Sequence, residues 1–478
     1  MIDSKKAVPE RRVCAAVLAA VVILTAGGVA WGQRTAPATF YVDSDKGDDK
    51  ASGAGEAAAW RTLERVNSAE LIGGDTVRFA RGRVWRGQLK PRSGSEKARI
   101  TYTSYGQGPK PILQGSLDYS QADQWEQTTP GIWATVGGRG QPLEADIGIL
   151  ILDHGAKWGV KKWSQADLKA PLDYWYDAAS KRVFVACDAN PASRFKSVEL
   201  ALTRHIVNQG GVHDVTYDGL AVRYGAAHGF GGGSTARITI RNCDVYWIGG
   251  GLQYAKPGRG PVRYGNGIEF WSAARDHLVE HNRLWEIYDA ALTNQGRGDN
   301  SNQINITWRH NVIWNAEYSF EFWNGPASAV TRNIVFEHNT CVDAGCGWAH
   351  AQRPNPNGAH LMFYNNPSAT EGFVIRNNIF ASSSEVCLRM DNDWRAGLTM
   401  SNNLYWQADK PVVRWLVKQH FAPAAFGEYQ AKVGLDRKSH LAQPLFRDPA
   451  GRDYRLRADS PGAKLADDGQ AVGARTEE

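Results

Sequence analysis

A short pattern recurs six times between residues 238 and 408: a β-branched run, then Asn, then an apolar pair. The copies are ITIRNCDVYWI around Asn242, HLVEHNRLWEI around Asn282, NITWRHNVIWN around Asn311, IVFEHNTCVDA around Asn339, FVIRNNIFASS around Asn378 and LTMSNNLYWQA around Asn403. Successive Asn residues lie 40, 29, 28, 39 and 25 positions apart. A unit this short cannot bury its apolar face alone, so copies must stack into a solenoid, the longer ones carrying loop insertions. The runs alternate at period two with no helical apolar stripe, so each coil is built of short strands. Long connections between the runs argue against an antiparallel sandwich. An Asn at every corner suits a left-handed turn residue whose amide bonds to its counterpart one coil away.

These Asn-cornered coils resemble those of right-handed parallel β-helix proteins of the pectate-lyase-like group. FYVDSDKGDD, AWRTLERVN, GDTVRF and ITYTSYG resemble the usual start of such helices, and FGEYQAKVGLDRKSHLAQPLFRDPAGRDYRLRADSPGAKL their usual end. Together these stretches span most of residues 39 to 475. The resemblance implies an all-β, right-handed parallel β-helix solenoid. It implies no single activity, because the group holds lyases, hydrolases, epimerases and non-catalytic proteins.

The chain divides accordingly. Residues 1–12 are basic and Val13–Thr25 is apolar, with small residues at Gly28-Val29-Ala30, so residues 1–30 read as a secretory signal peptide, an uncleaved anchor being the alternative. Residues 31–115 hold an N-terminal cap, with a helix expected over 60–71, and the first coils. Residues 116–200 break the coil rhythm and form a β-rich insertion, 201–403 are the central coils, and 404–478 cover the other end. The product is expected to be secreted or periplasmic, with no membrane association once the signal is cut. The net charge of +6 falls to +4 without the first twelve residues, too mild for a nucleic-acid partner. Cys187, Cys243, Cys341, Cys346 and Cys387 form no metal pattern; a Cys341–Cys346 disulfide is conceivable in an exported protein.

Three second strands align: NGIEFWS (266–272), DAALTNQ (289–295) and EYSFEFWN (317–324). Ile268, Leu292 and Phe320 then point inward, while Glu269, Thr293 and Glu321 share the outward face, followed two residues on by Trp271, Gln295 and Trp323. Asp289 aligns with Glu317, and coils stack about 4.8 Å apart. Like charges at such spacing push one carboxyl to stay protonated beside an ionised partner, the pairing that glycosidic cleavage requires. Asp289, Glu317, Glu321 and Glu269 are therefore the candidate catalytic acids. Trp271, Trp323, Asn294, Gln295, His228 and Arg263 are candidate substrate-binding residues, the tryptophans as flat faces for sugar rings. Glu286 and Glu337 fall elsewhere in the pattern and read as solvated.

The expected partner is thus a polysaccharide or oligosaccharide and the expected enzyme a glycoside hydrolase. A polysaccharide lyase acting on uronates is the first alternative, with its base and cation drawn from Lys256, Arg259, Arg263, His228, His350, Arg353 and His360. A non-catalytic glycan-binding solenoid is the second; it needs tryptophan platforms but no paired acids. No cofactor or metal site is expected. Calcium ranks low because no DxDxDG loop is present.

Overall fold

Three long, largely parallel sheets of ten, ten and nine strands form the body of the fold, and each central coil contributes one strand to each. The structure, a computed structural model, describes residues 34–258 and 260–475. The expected signal peptide and Arg259 lie outside them. The fold belongs to the compact unit Pro37–Glu478. It is a right-handed parallel β-helix. Among the described residues no helix is long and apolar enough to cross a membrane.

One coil shows the plan. Ala274–Glu280 lies in the first sheet, Arg283–Ile287 in the second and Ala290–Arg297 in the third; the next coil repeats this with Gln303–Arg309, Val312–Trp314 and Tyr318–Gly325. Alternation sends every second side chain inward. The ladder Ile268, Leu292, Phe320, Leu361 and Leu388 stacks in register down the third sheet and is fully buried.

The corner between the first two sheets carries the repeated Asn, and it divides two jobs that the sequence pattern assigns to one residue. The left-handed backbone falls on the preceding position, His281, His310, His338, Asn377 and Asn402. The Asn that follows is buried. Asn282 N and Nδ2 both donate to Asn311 Oδ1 (3.1 and 2.9 Å), Asn311 does the same to Asn339, Asn339 to Asn378, and Asn378 to Asn403. The first copy slips by one. Arg241 pairs with Glu280, so Asn242 matches His281, and Cys243 occupies the ladder position, its N–H donating to Asn282 Oδ1.

The N-terminal helix is shorter than expected, Leu63–Ser68, capped by Thr62 Oγ1, which accepts from Arg65 N. Leu63 and Val66 join the main core. Strands between Ser116 and Leu202 form a four-stranded antiparallel sheet and a five-stranded sheet that is antiparallel except where Val160–Lys161 pairs with Asp173–Tyr174, around Trp125, Ile147, Tyr174 and Val185. Ile149 and Ile151 pack on Trp247, Tyr288 and Trp348 of the coils. The C-terminal segment does more than cover an end. Helix Phe426–Val433 buries Phe426, Tyr429 and Val433 in the main core, but Phe446 and Tyr454 pack back against Trp314. All five described cysteines are free, so the Cys341–Cys346 disulfide does not form; Cys341 is buried and Cys346 exposed.

Candidate active site

The third sheet brings the carboxylates together. Glu269 pairs with Thr293 and Thr293 with Glu321; Trp271 pairs with Gln295 and Gln295 with Trp323. Ala290 pairs with Tyr318, which sets Asp289 beside Glu317 at the leading edge. Two loops overhang this edge: the hairpin Gly251–Lys256/Gly260–Tyr264 and the segment between Ala344 and Ala359.

Each acid has a different environment. Glu321 is 6% exposed, and its Oε2 has no partner among the described residues. Burial pushes its pKa well above the ordinary carboxylate range; Asp289 and Glu269 raise it further. Its environment thus favours the protonated form. Asp289 also rises through burial, but Arg353 opposes this: its Nη2 donates to Asp289 Oδ1 at 3.1 Å. The guanidinium favours the ionised form of Asp289. Burial lifts Glu269 to about 7. Asn266 Nδ2 donates to its Oε2 at 2.6 Å, and His228 Nε2 lies 3.1 Å from its Oε1. The Asn266 N–H donates to His228 Nδ1, which leaves the imidazole proton on Nε2, facing Glu269. Burial drives His228 down to about 3, so it is a neutral donor, stacked on His205 at 4.7 Å.

Glu317 is different. Its side chain is wholly buried, and it accepts from His350 Nδ1 (3.1 Å) and the Asn357 N–H (2.9 Å), with Arg353 Nε at 3.6 Å. These contacts fill its lone pairs and pin the 350–357 loop. Glu317 is thus unavailable to a substrate, contrary to its expected place among the reacting acids. Asn294 is a second correction. It pairs with Phe270 and Phe322 on the inward face and has no solvent exposure, because period-two alternation puts it on the same side as Leu292. Gln295 faces outward but donates to Thr293 Oγ1. Arg263 is committed to protein acceptors: Gly250 O (2.6 Å), Gly148 O (3.0 Å) and Gln352 Oε1 (3.1 Å). Glu286 is not solvated; it accepts from the Trp348 N–H and Asn315 Nδ2. Glu337 pairs with Arg376.

Trp271 and Trp323 meet edge to face, centroids 5.5 Å apart. Trp323 borders a cleft of about 680 Å³ with Arg297, Pro326, Tyr364 and Asp391. A second cleft, of about 640 Å³, is bordered by Tyr288, Tyr318, Arg353 and Asn357 and again by Tyr364. Tyr364 thus borders both clefts; burial raises its pKa, and the nearby Glu321 and Asp289 raise it further. Of the proposed elimination groups, His228, His350 and Arg353 reach the acids but are bonded to them. His360 is fully buried, its Nδ1 at 3.0 Å from Ser319 Oγ. Tyr288, Tyr318, Tyr364 and Asn266 were absent from the sequence expectation, since none belongs to an acid or tryptophan position of the repeat. Three of the four flank an aligned carboxylate by one to three residues, which is the signal that would have found them.

The fold and site define a parallel β-helix with a cluster of buried carboxyls on one sheet. No family model matches the chain. A 96-residue stretch, 19% of the chain, is 34% identical to part of a lacto-N-biosidase of Bifidobacterium longum subsp. longum, 6% of that protein. Over 209 residues, 41% of the chain, it is 25% identical to the uncharacterized protein YwoF of Bacillus subtilis, 40% of whose length is matched. The chain thus spans less than half the length of these curated relatives. Similar solved structures include a glycoside hydrolase (TM-score 0.46, 10% identity, 79% of this chain and 95% of that one). XylC in complex with xylose is another (TM-score 0.43, 12% identity, 78% and 86%). So is the family 28 exopolygalacturonase of Yersinia enterocolitica (TM-score 0.37, 11% identity, 79% and 74%).

Proposed function

We propose that the protein is an exported glycoside hydrolase acting on a polysaccharide or oligosaccharide. The observation that carries this reading is the unequal environment of two neighbouring carboxyls: Glu321, buried with Oε2 unpartnered, and Asp289, held by Arg353. Unlike pKa values on adjacent acids divide the acid and base roles. Glu321 donates its proton to the glycosidic oxygen as the bond to the anomeric carbon breaks. Asp289, ionised, either takes a proton from the attacking water or itself attacks the anomeric carbon, and Glu321 then acts as the base. Glu269, held by His228 and Asn266, supports the developing positive charge on the sugar ring. Glu317 keeps Arg353 aimed at Asp289. The short likeness to a protein named lacto-N-biosidase is in keeping with glycoside chemistry.

The test is a panel of defined glycans read both by reducing ends and by near-ultraviolet absorbance. Hydrolysis yields reducing ends without a 4,5-unsaturated product. Glu321→Gln and Asp289→Asn are each expected to lower kcat by about 10²–10⁴, the usual contribution of a positioned acid or base. Unsaturated products, or parental activity in either variant, would overturn the reading.

A further inference from the structure

Among the described residues, five large hydrophobic side chains are exposed: Val84, Trp158, Trp163, Tyr254 and Val417. Trp163 differs from the others in its surroundings. It belongs to the insertion, yet it lines the same cleft of about 640 Å³ as Arg353, Tyr318 and Tyr364. The insertion is thus one wall of the space that opens beside Asp289. A cleft of this volume falls in the range of small-ligand sites.

The ring is set in place from behind. Val160–Lys161 pairs in parallel with Asp173–Tyr174, so the backbone leading into Trp163 is part of a sheet. Lys161 Nζ lies 5.2 Å from the Trp163 centroid and is anchored by Asp146 Oδ1 and Ile147 O, both at 2.5 Å. Asp146 in turn accepts from the Leu252 N–H of the hairpin at 2.7 Å. One face of the indole is therefore backed by a fixed cation, while 40% of the residue remains open to solvent. An exposed indole face held rigid over a polar cleft loses little entropy on stacking, which is what a sugar platform needs. Across the cleft Asn355 and Asn357 supply amides of the kind that bond hydroxyls, and Lys162 a cation already paired with Asp173 at 3.3 Å.

We infer that Trp163 is a sugar-stacking subsite: the insertion binds a pyranose unit of the substrate on one side of the Asp289–Glu321 pair. The inference rests on the hydrolase reading for its substrate class and deepens it. A unit bound there is separate from the one whose bond breaks, so its loss weakens binding of oligosaccharides and leaves turnover of minimal substrates alone.

The test uses the full chain and Trp163→Ala, with Trp163→Tyr as the conservative variant. Probes are β-1,4-xylohexaose, hexagalacturonate, a β-galactosyl-hexosamine tetrasaccharide and the matching aryl glycosides. Binding is measured by titration calorimetry in the Glu321→Gln background, turnover in the active chain, and folding by thermal melting. Trp163→Ala is expected to weaken oligosaccharide binding and raise KM about tenfold, the scale of one stacked ring. Aryl glycoside kcat and the melting temperature stay at parental values, and Trp163→Tyr restores most of the affinity. Parental oligosaccharide affinity in Trp163→Ala overturns the subsite and leaves the hydrolase reading intact. If the active chain binds a probe but cleaves none, while Trp163→Ala binds it tenfold more weakly, the subsite stands and the hydrolase reading falls. If the chain binds no probe, both fall.

Discussion

Glu269 shows how the site trades stability for chemistry. Burial lifts it from 4.5 to about 7, with the Asn266 hydrogen bond opposing. A carboxyl whose folded pKa exceeds its unfolded one binds more protons in the native state, so stability falls as pH rises through 4.5 to 7 and the full loss is present above that window. The shift corresponds to about 3 kcal/mol between pH 4 and pH 8. Glu269→Gln keeps an acceptor for His228 Nε2 and removes the titration. Urea unfolding of parent and variant at both pH values compares the fold with and without this carboxyl and its effect on Glu321 and Asp289. The parent is expected to lose about 3 kcal/mol more than the variant on going to pH 8. Equal losses would show that Glu269 ionises freely in the fold. The same physics explains what the sequence did and did not convey about individual side chains. Period-two alternation fixed Glu269, Glu321, Trp271 and Trp323 on the outer face, and the register bears this out. Asn294 fails by that very rule, being one residue off the outward parity. Glu317 shares Asp289's position along the coil, but its fate depends on His350 and Asn357, 33 and 40 residues away, which no local pattern reports.

At the scale of the element, the repeated corner carries most of the fold's legibility. Spacing near 28 residues and alternating runs suffice for a stacked parallel sheet, and that is what the strands form. What spacing leaves undetermined is register to a single residue, which is how Asn242 came to be aligned with Asn282 in place of His281. A hydrogen-bond ladder settles it, because only the buried position meets its counterpart. Asn311, Asn339 and Asn378 each satisfy a backbone carbonyl, a backbone N–H and two neighbouring amides. Asn311 accepts from Asn282 through Oδ1 and donates to Val279 O at 3.0 Å and to Asn339 Oδ1. Asn311→Ala leaves several of these groups buried without partners, at about 1–3 kcal/mol each, so a loss of about 3–5 kcal/mol is expected on urea unfolding. Asn305 makes a similar pair at the surface, with Asp276 and Asn333, and there Asn305→Ala is expected to cost under about 1 kcal/mol, since water replaces the lost partner. Comparable losses at the two sites would mean that the ladder is decoration on a fold held by its apolar interior.

At the scale of the whole molecule, the site is a junction of parts far apart in the chain, and Arg263 is where they meet. The hairpin supplies the guanidinium, the insertion supplies Gly148 O 115 residues before it, and the loop supplies Gln352 Oε1 89 residues after it. Gly250 O closes the set. Arg263 also lies over the Tyr288 ring, 4.6 Å from its centroid, with Arg353 at 4.7 Å from the same ring. A planar fork can reach three acceptors at once; an ammonium on a flexible stem cannot hold that geometry. Arg263→Lys keeps the charge and removes the fork, so it separates orientation from electrostatics. The expected result is local: exchange of the Arg353 and Asn357 amides speeds up about tenfold, the equivalent of one lost hydrogen bond of ~1.4 kcal/mol. Ladder amides such as Asn311 and Asn339 keep their parental rates, because they lie at another corner of the coils. Substrate KM rises with the loosened loop, while kcat for minimal substrates stays, since Arg353 still has Glu317 to hold it. Uniform acceleration across both groups would mean that Arg263 supports the whole solenoid. No acceleration would mean that the Glu317 bonds alone fix the loop. The junction account requires the loop to loosen while the coils do not, because the coils are held by their own stacking and the cleft only by what bridges it.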